Sequence, residues 1–232
     1  MSHTLRKAVS IFLLVAMFSL TCANNAAQSH TVNLDELLSE TQKGSPHVDK
    51  VVLAWWIPQE YWEASLSQTP TLSVAVVSEF IRMLKPYSVF MVVDGRIDVN
   101  GAIVYKTERE IRNSIQLVDS QGNRYAAIPE ANLNADTKGF LSMMKPLLAN
   151  AMGQLGKNFH FVLFPATNKE RLPIMEAKKE GRFSLNLGGD NLRWRLPLGS
   201  LLPQKVCPID GEELSGAWKY CPWHGALLKT KP

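Results

Sequence analysis

Near its C-terminal end the chain writes one phrase twice, C-P-I-D-G-E-E-L over 207–214 and C-P-W-H-G-A-L-L over 221–228. The cysteines stand 221 minus 207, or 14, positions apart. Three places after each comes a second side chain able to hold a metal ion, Asp210 in one copy and His224 in the other. A tight turn lets side chains at this spacing converge, and the glycine that follows relieves the backbone behind the second of them. Thiolate and imidazole suit a borderline-soft ion such as zinc, whereas carboxylate is a harder and weaker partner in that company. Two thiols brought together can instead oxidise to a disulfide where the compartment allows it.

Taken as a pair, the phrases resemble the zinc-ribbon family, in which paired C-P-x-C-G turns each deliver two thiolates to one tetrahedral zinc. The resemblance spans Cys207–Leu228 and none of the rest of the chain. It implies Cys207, Asp210, Cys221 and His224 as the four ligands of one structural zinc, with an aspartate and a histidine where the family carries its second cysteines. That departure keeps a rival in play, a ribbon whose metal has been replaced by a Cys207–Cys221 disulfide. Closing a loop of this size contributes about 3 kcal/mol by chain entropy. The second phrase alone is similar to the second box of a Rieske iron–sulfur domain. The first phrase has Ile209 where that domain's first box needs a histidine, which speaks against the resemblance.

The body of the chain offers ingredients without a signature. No G-x-S-x-G, P-loop, G-x-G-x-x-G or H-E-x-x-H occurs in it. The run VDGRIDVNG places Asp94, Asp98 and Asn100 near glycines, but its ligand spacing is that of turns and not of a calcium loop. His160 alternates with aromatic residues in FHFVLF, the pattern of a strand. A catalytic role for Glu60, Glu63, Asp94, Asp98 or His160 requires that two of them line one cleft. Trp55, Trp56, Tyr61 and Trp62 fall within eight residues. Such a cluster serves either as core or as a binding surface, because tyrosine and tryptophan favour places where apolar burial meets a hydrogen bond. Adjacent Trp55 and Trp56 on a strand face opposite ways.

The first residues bear on the cysteine question. Arg6 and Lys7 precede an apolar run from Ala8 to Leu20, and small and polar residues follow, as in a cleaved secretory signal peptide over 1–27. The run is 13 residues long, short of the roughly 20 that a membrane-spanning helix needs. The mature chain is therefore expected to be periplasmic or secreted and to lack a membrane span, with a lipidated Cys22 as the lesser alternative. Removing 1–27 takes two basic residues and no acid from 25 and 21, leaving 23 minus 21, or +2. So even a balance, with no basic face, excludes a nucleic-acid partner. The mature cysteines are then Cys207 and Cys221, an even pair in a compartment where disulfides persist.

The elements that must carry these residues read as follows. Residues 28–47 form a polar lead-in arm with a short helix over NLDELLSETQ capped by Asn33. KVVLAWWIP, YSVFMVVDG and FHFVLFPA are buried strands, the second ending in an Asp94–Gly95 turn. Two helices lie between the first two strands, one with Pro58 at its first position and one stopped by Pro86. SIQLVDSQGNRYAAIP and GRFSLNLGGDNLRWRLPL are hairpins. DTKGFLSMMKPLLANAMGQLG, capped by Asp136 or Thr137, is a helix kinked or split at Pro146. Hairpins among helices predict an α+β domain over 48–204, with a mixed or antiparallel sheet and packed helices, followed by a zinc-ribbon-like hairpin over 205–232. Trp218, Tyr220 and Trp223 are expected to dock that hairpin on the body. The expected function is a non-catalytic binding or assembly module of the cell envelope, contacting an envelope protein or a small ligand. The alternative is an exported hydrolase-type enzyme whose acids meet only in the fold.

Overall fold

The computed structural model describes residues 32–69 and 72–231. The expected signal peptide and Cys22 lie outside the described residues. Helix α1 (Leu34–Thr41) begins at Asn33, whose carboxamide oxygen accepts from the amides of Asp35 and Glu36. Strand β1 (Gln42–Gly44) follows directly and pairs antiparallel with β2 (Lys50–Ile57). From Asn33 onward the expected lead-in arm is therefore part of the body. Thr41 ties it in: its hydroxyl accepts from Trp55 Nε1 at 3.1 Å, and its carbonyl accepts from Trp194 Nε1 at 2.9 Å. Two buried indole donors are thus satisfied by one buried residue.

After β2 come α2 (Gln59–Ser67) and α3 (Val74–Leu84), then β3 (Tyr87–Ile97) and β4 (Ile103–Tyr105). Pro58 is the N-cap of α2, one place before the position expected for it, and α3 ends ahead of Pro86 as its sequence requires. β3 does not stop at Asp94–Gly95. It runs to Ile97, and the turn follows at Asp98, whose Oδ1 accepts from the amides of Asn100 and Ala102 at 2.8 and 2.9 Å. Gly95 is there for close packing: a Cβ on it would stand 3.0 Å from both Ile103 and Tyr105.

Helix α4 (Glu108–Ser114) opens with a capping box between Thr107 and Glu110, and leads to β5 (Gln116–Val118) and β6 (Arg124–Ala126). α5 (Ala135–Ala151) is capped by Asn134, ahead of the two residues expected, and continues as one helix through Pro146. β7 (His160–Pro165) and the hairpin of β8 (Gly181–Leu187) and β9 (Asp190–Leu196) complete the body. β3 is central: β2 pairs along one side of it, and β7 and β4 share the other, all antiparallel. A second antiparallel sheet runs β6-β5-β8-β9. The α+β class holds, and both sheets are antiparallel throughout.

The continuous apolar strands now have a reason, because both faces of the central sheet are covered. Trp55, Met91, Val93 and Leu163 pack with Trp62 and Phe140 from the helices. Trp56, Phe90, Val92 and Phe164 pack against Phe183 and Trp194 of the second sheet. Trp55 and Trp56 do face opposite ways, and each is buried in its own core. With Trp62 buried and Tyr61 half-buried, the four aromatic residues form no exposed binding surface. Desolvation of such large rings is worth more inside than the hydrogen bonds they could offer outside.

The C-terminal segment holds three two-residue strands, β10 (Lys205–Val206), β11 (Glu213–Leu214) and β12 (Lys229–Thr230), with β10 between the other two. It is a minimal three-stranded sheet where a single hairpin was expected. Trp218, Tyr220 and Trp223 do not dock it: they are 45%, 54% and 73% exposed. Attachment runs through backbone at its base. A Cβ on Gly199 would lie 2.1 Å from Ser215 Oγ, and one on Gly216 would lie 2.4 Å from the Pro203 carbonyl, so only glycine permits these approaches. The Glu40 carboxylate on α1 accepts from the amides of Gly199 and Ser200 at 2.9 and 3.0 Å and holds the turn that feeds the segment.

Candidate functional site

The two phrases fold alike. In each, the glycine amide donates to the cysteine carbonyl, Gly211 to Cys207 and Gly225 to Cys221, both at 2.9 Å. Each cysteine amide donates to the carbonyl five places on, Cys207 to Glu212 at 2.9 Å and Cys221 to Ala226 at 2.8 Å. Gly211 and Gly225 adopt φ of +78° and +64°, the left-handed conformation for which glycine stands in both copies. The last residue of each phrase, Leu214 and Leu228, joins the two cysteines in a separate small core. The repeat therefore specifies a turn and a four-residue core, and its third position, Ile209 or Trp223, points outward.

Cys207, Cys221 and His224 converge, with their ligand atoms all within 4.8 Å of one another. His224 Nδ1 lies 3.4 Å from Cys207 Sγ and 3.5 Å from Cys221 Sγ. For zinc bonds of about 2.3 Å to sulfur and about 2.0–2.1 Å to nitrogen, one tetrahedral edge between those atoms is about 3.6 Å. Both sulfur–nitrogen separations thus suit a zinc tetrahedron. Both cysteines are free thiols in this structure.

Asp210 is less committed than the expected four-ligand set requires. Its Oδ2 is 3.7 Å from His224 Nδ1, beyond a nitrogen–oxygen edge of about 3.3 Å on the same ion. Its Oδ1 accepts from the Glu212 amide at 3.0 Å, so the carboxylate is partly spent on its own turn. That amide is the largest influence holding the Asp210 pKa below its ordinary value. Burial pushes the Cys207 thiol up. Burial also opposes the Cys221 thiolate, but the amides of His224 and Trp223 and the imidazole together outweigh it and hold that pKa down. A thiol poised toward its thiolate, beside a second thiol and an imidazole, is a metal-binding chemistry.

The candidate acids of the body are dispersed. Glu63 accepts from Gln59 on the exposed side of α2. His160 sits 3.4 Å from Glu108, and burial pushes its pKa down. Asp94 is buried and paired with Lys106 at 2.7 Å. Asp94 and Asp98 do share a cleft of about 280 Å³ with Lys50 and Lys106. One carboxylate there is neutralised by its lysine, and the other holds the β3–β4 turn. Glu60 stands in a different cleft, between α2 and the loop after β7. A further buried carboxylate, Asp190, carries no signal of its own in the sequence and is bound by Lys50 at 3.1 Å across the two sheets. Lys50 and Asp190 lie 140 positions apart, so no local pattern links them. Among the described residues no helix is long and apolar enough to cross a membrane. Comparison with protein families, with curated proteins and with solved structures returned no match.

Proposed function

We propose that the chain is an exported, non-catalytic binding or assembly module, periplasmic or secreted, whose C-terminal ribbon is held by one structural zinc. Cys207, Cys221 and His224 hold the ion, and Asp210 or water completes the sphere. The convergence of the triad within 4.8 Å carries the zinc assignment. The ion fixes both knuckles and supplies folding energy to a segment with too little core of its own. The contact face is the ribbon, since Trp218, Tyr220 and Trp223 are the only exposed aromatic side chains among the described residues. Aromatic residues held outward on a rigid frame are the usual anchors of a protein contact, which fits an envelope protein as partner.

Metal content and free thiols, measured on protein purified from its native compartment, test the assignment. The expected result is one zinc per chain and two thiols that react only after chelation. Protein with neither zinc nor free thiol carries a Cys207–Cys221 disulfide, and the zinc assignment fails. A second reading, an exported hydrolase-type enzyme, draws support from the cleft shared by Asp94 and Asp98. It predicts turnover of an ester, glycoside or phosphate probe that Asp94→Asn abolishes; the binding module turns over none of them.

A further inference from the structure

The cleft beside α2 measures about 480 Å³, within the range of about 300–1,000 Å³ common to small-molecule sites. Its wall is largely apolar: Tyr87 and Met175 are half-buried along it, with Trp56 and Trp62 buried beneath. Five charged side chains reach the cleft, and two of them, Glu176 and Lys179, neutralise each other at 2.6 Å. The remaining three are Glu60, Lys85 and Lys178, one acid and two bases. None of these three has a salt-bridge partner among the described residues.

Glu60 is the informative one. It is half-buried in the first turn of α2, and burial pushes its pKa up although its own amide and the more distant Lys178 oppose the shift. A carboxylate withdrawn from water with no side chain to pair with costs stability, and a ligand cation would restore what it lacks. Lys85 and Lys178 offer the opposite charge nearby, while Tyr87 and Met175 offer apolar contact.

We propose that this cleft binds a small amphipathic zwitterion, an apolar amino acid or a short peptide with free ends. Its ammonium pairs with Glu60, its carboxylate with Lys85 and Lys178, and its apolar side chain lies against Tyr87 and Met175. This site is separate from the ribbon, since the cleft draws no residue from 205–231.

Calorimetric titration of the purified chain with L-phenylalanine and with L-phenylalanyl-L-phenylalanine tests the assignment, and whichever binds more tightly identifies a free amino acid or a peptide as the source. Saturable binding with Kd at or below about 1 mM is expected for at least one of them. N-acetylphenylalanine, which lacks the ammonium, and phenylalaninamide, which lacks the carboxylate, should each bind at least about ten-fold more weakly, and Glu60→Gln should weaken the parent ligand as much. The paired change Lys85→Met with Lys178→Met probes the other pole independently of Glu60. Chelation of the metal should leave binding unchanged, so this assignment and the zinc assignment fail separately. Absence of saturable binding by both probes would overturn the proposal, as would an acetylated ligand that binds as tightly as the free one.

Discussion

On the proposed zinc assignment, stripping the ion from the ribbon is expected to unfold that segment and leave the body intact. The ribbon core comprises Cys207, Leu214, Cys221 and Leu228 and shares no residue with the two cores of the body. Burying its two leucines contributes about 3–6 kcal/mol, whereas a structural zinc contributes roughly 10–16 kcal/mol at neutral pH. An ion held there would thus outweigh the side chains it gathers. Hydrogen exchange read by mass spectrometry separates the two parts. The amides of Cys207, Gly211, Cys221 and Gly225, all hydrogen-bonded within the knuckles, report the ribbon. Those of β3, paired on both sides, report the body. Chelation should lower protection in the knuckles by at least about a thousand-fold, which needs the loss of only about 4 kcal/mol. Protection in β3 should be unchanged, and Cys221→Ser should reproduce the effect without chelator. The reasoning fails if the knuckle amides stay protected after chelation, or if only a reductant exposes them, the signature of a disulfide.

Three further outcomes follow from particular contacts. Glu40→Ala removes the acceptor of the Gly199 and Ser200 amides in a buried turn, at roughly 1–3 kcal/mol for the Gly199 donor alone; a urea midpoint equal to that of the parent would refute the clamp. Glu60 has a folded pKa raised above 4.5 by burial, so its stabilising contribution is complete below that pH and is lost as pH rises through the folded value. Glu60→Gln should therefore raise the melting temperature at pH 7 and leave it unchanged near pH 3, and equal melting at both pH values would contradict the burial cost. Asp210→Asn should weaken zinc far less than Cys221→Ser in competition with a chromophoric chelator, because Asp210 stands outside the converged triad; equal losses would make Asp210 a full ligand.

Much of the body was legible because its signals are local. The run KVVLAWWIP became β2, FHFVLFPA became β7, and the Gly188–Gly189 pair joined β8 to β9, each from residues adjacent in the chain. Errors arose where one local signal has two physical causes. Gly95 looked like a turn residue, but tertiary crowding by Ile103 and Tyr105 explains it. Of the two outcomes that Pro146 allowed, the split is the one that did not occur, since α5 continues through it as one helix. The stacked second sheet was not legible, because pairing β5 with β8 joins residues such as Leu117 and Leu185 that are far apart in sequence. The acid that meets Lys50 is hidden for the same reason.

The repeated phrase was legible in a stronger sense, because its parts serve separable demands that the fold can check one at a time. Cysteine and leucine are buried in both copies, glycine is left-handed in both, and the variable third position is exposed in both. Where the copies agree in residue type they agree in structure. At the fourth position Asp210 and His224 differ in role as well as in type: the imidazole lies beside both sulfurs, whereas the carboxylate accepts from its own turn and reaches only the Cys207 thiol. Divergence at one ligand position thus coexists with conservation of every residue that builds the turn. A scaffold of that kind can keep its shape while its coordination shell changes, because glycine, cysteine and leucine set the turn and core and the fourth ligand sets neither.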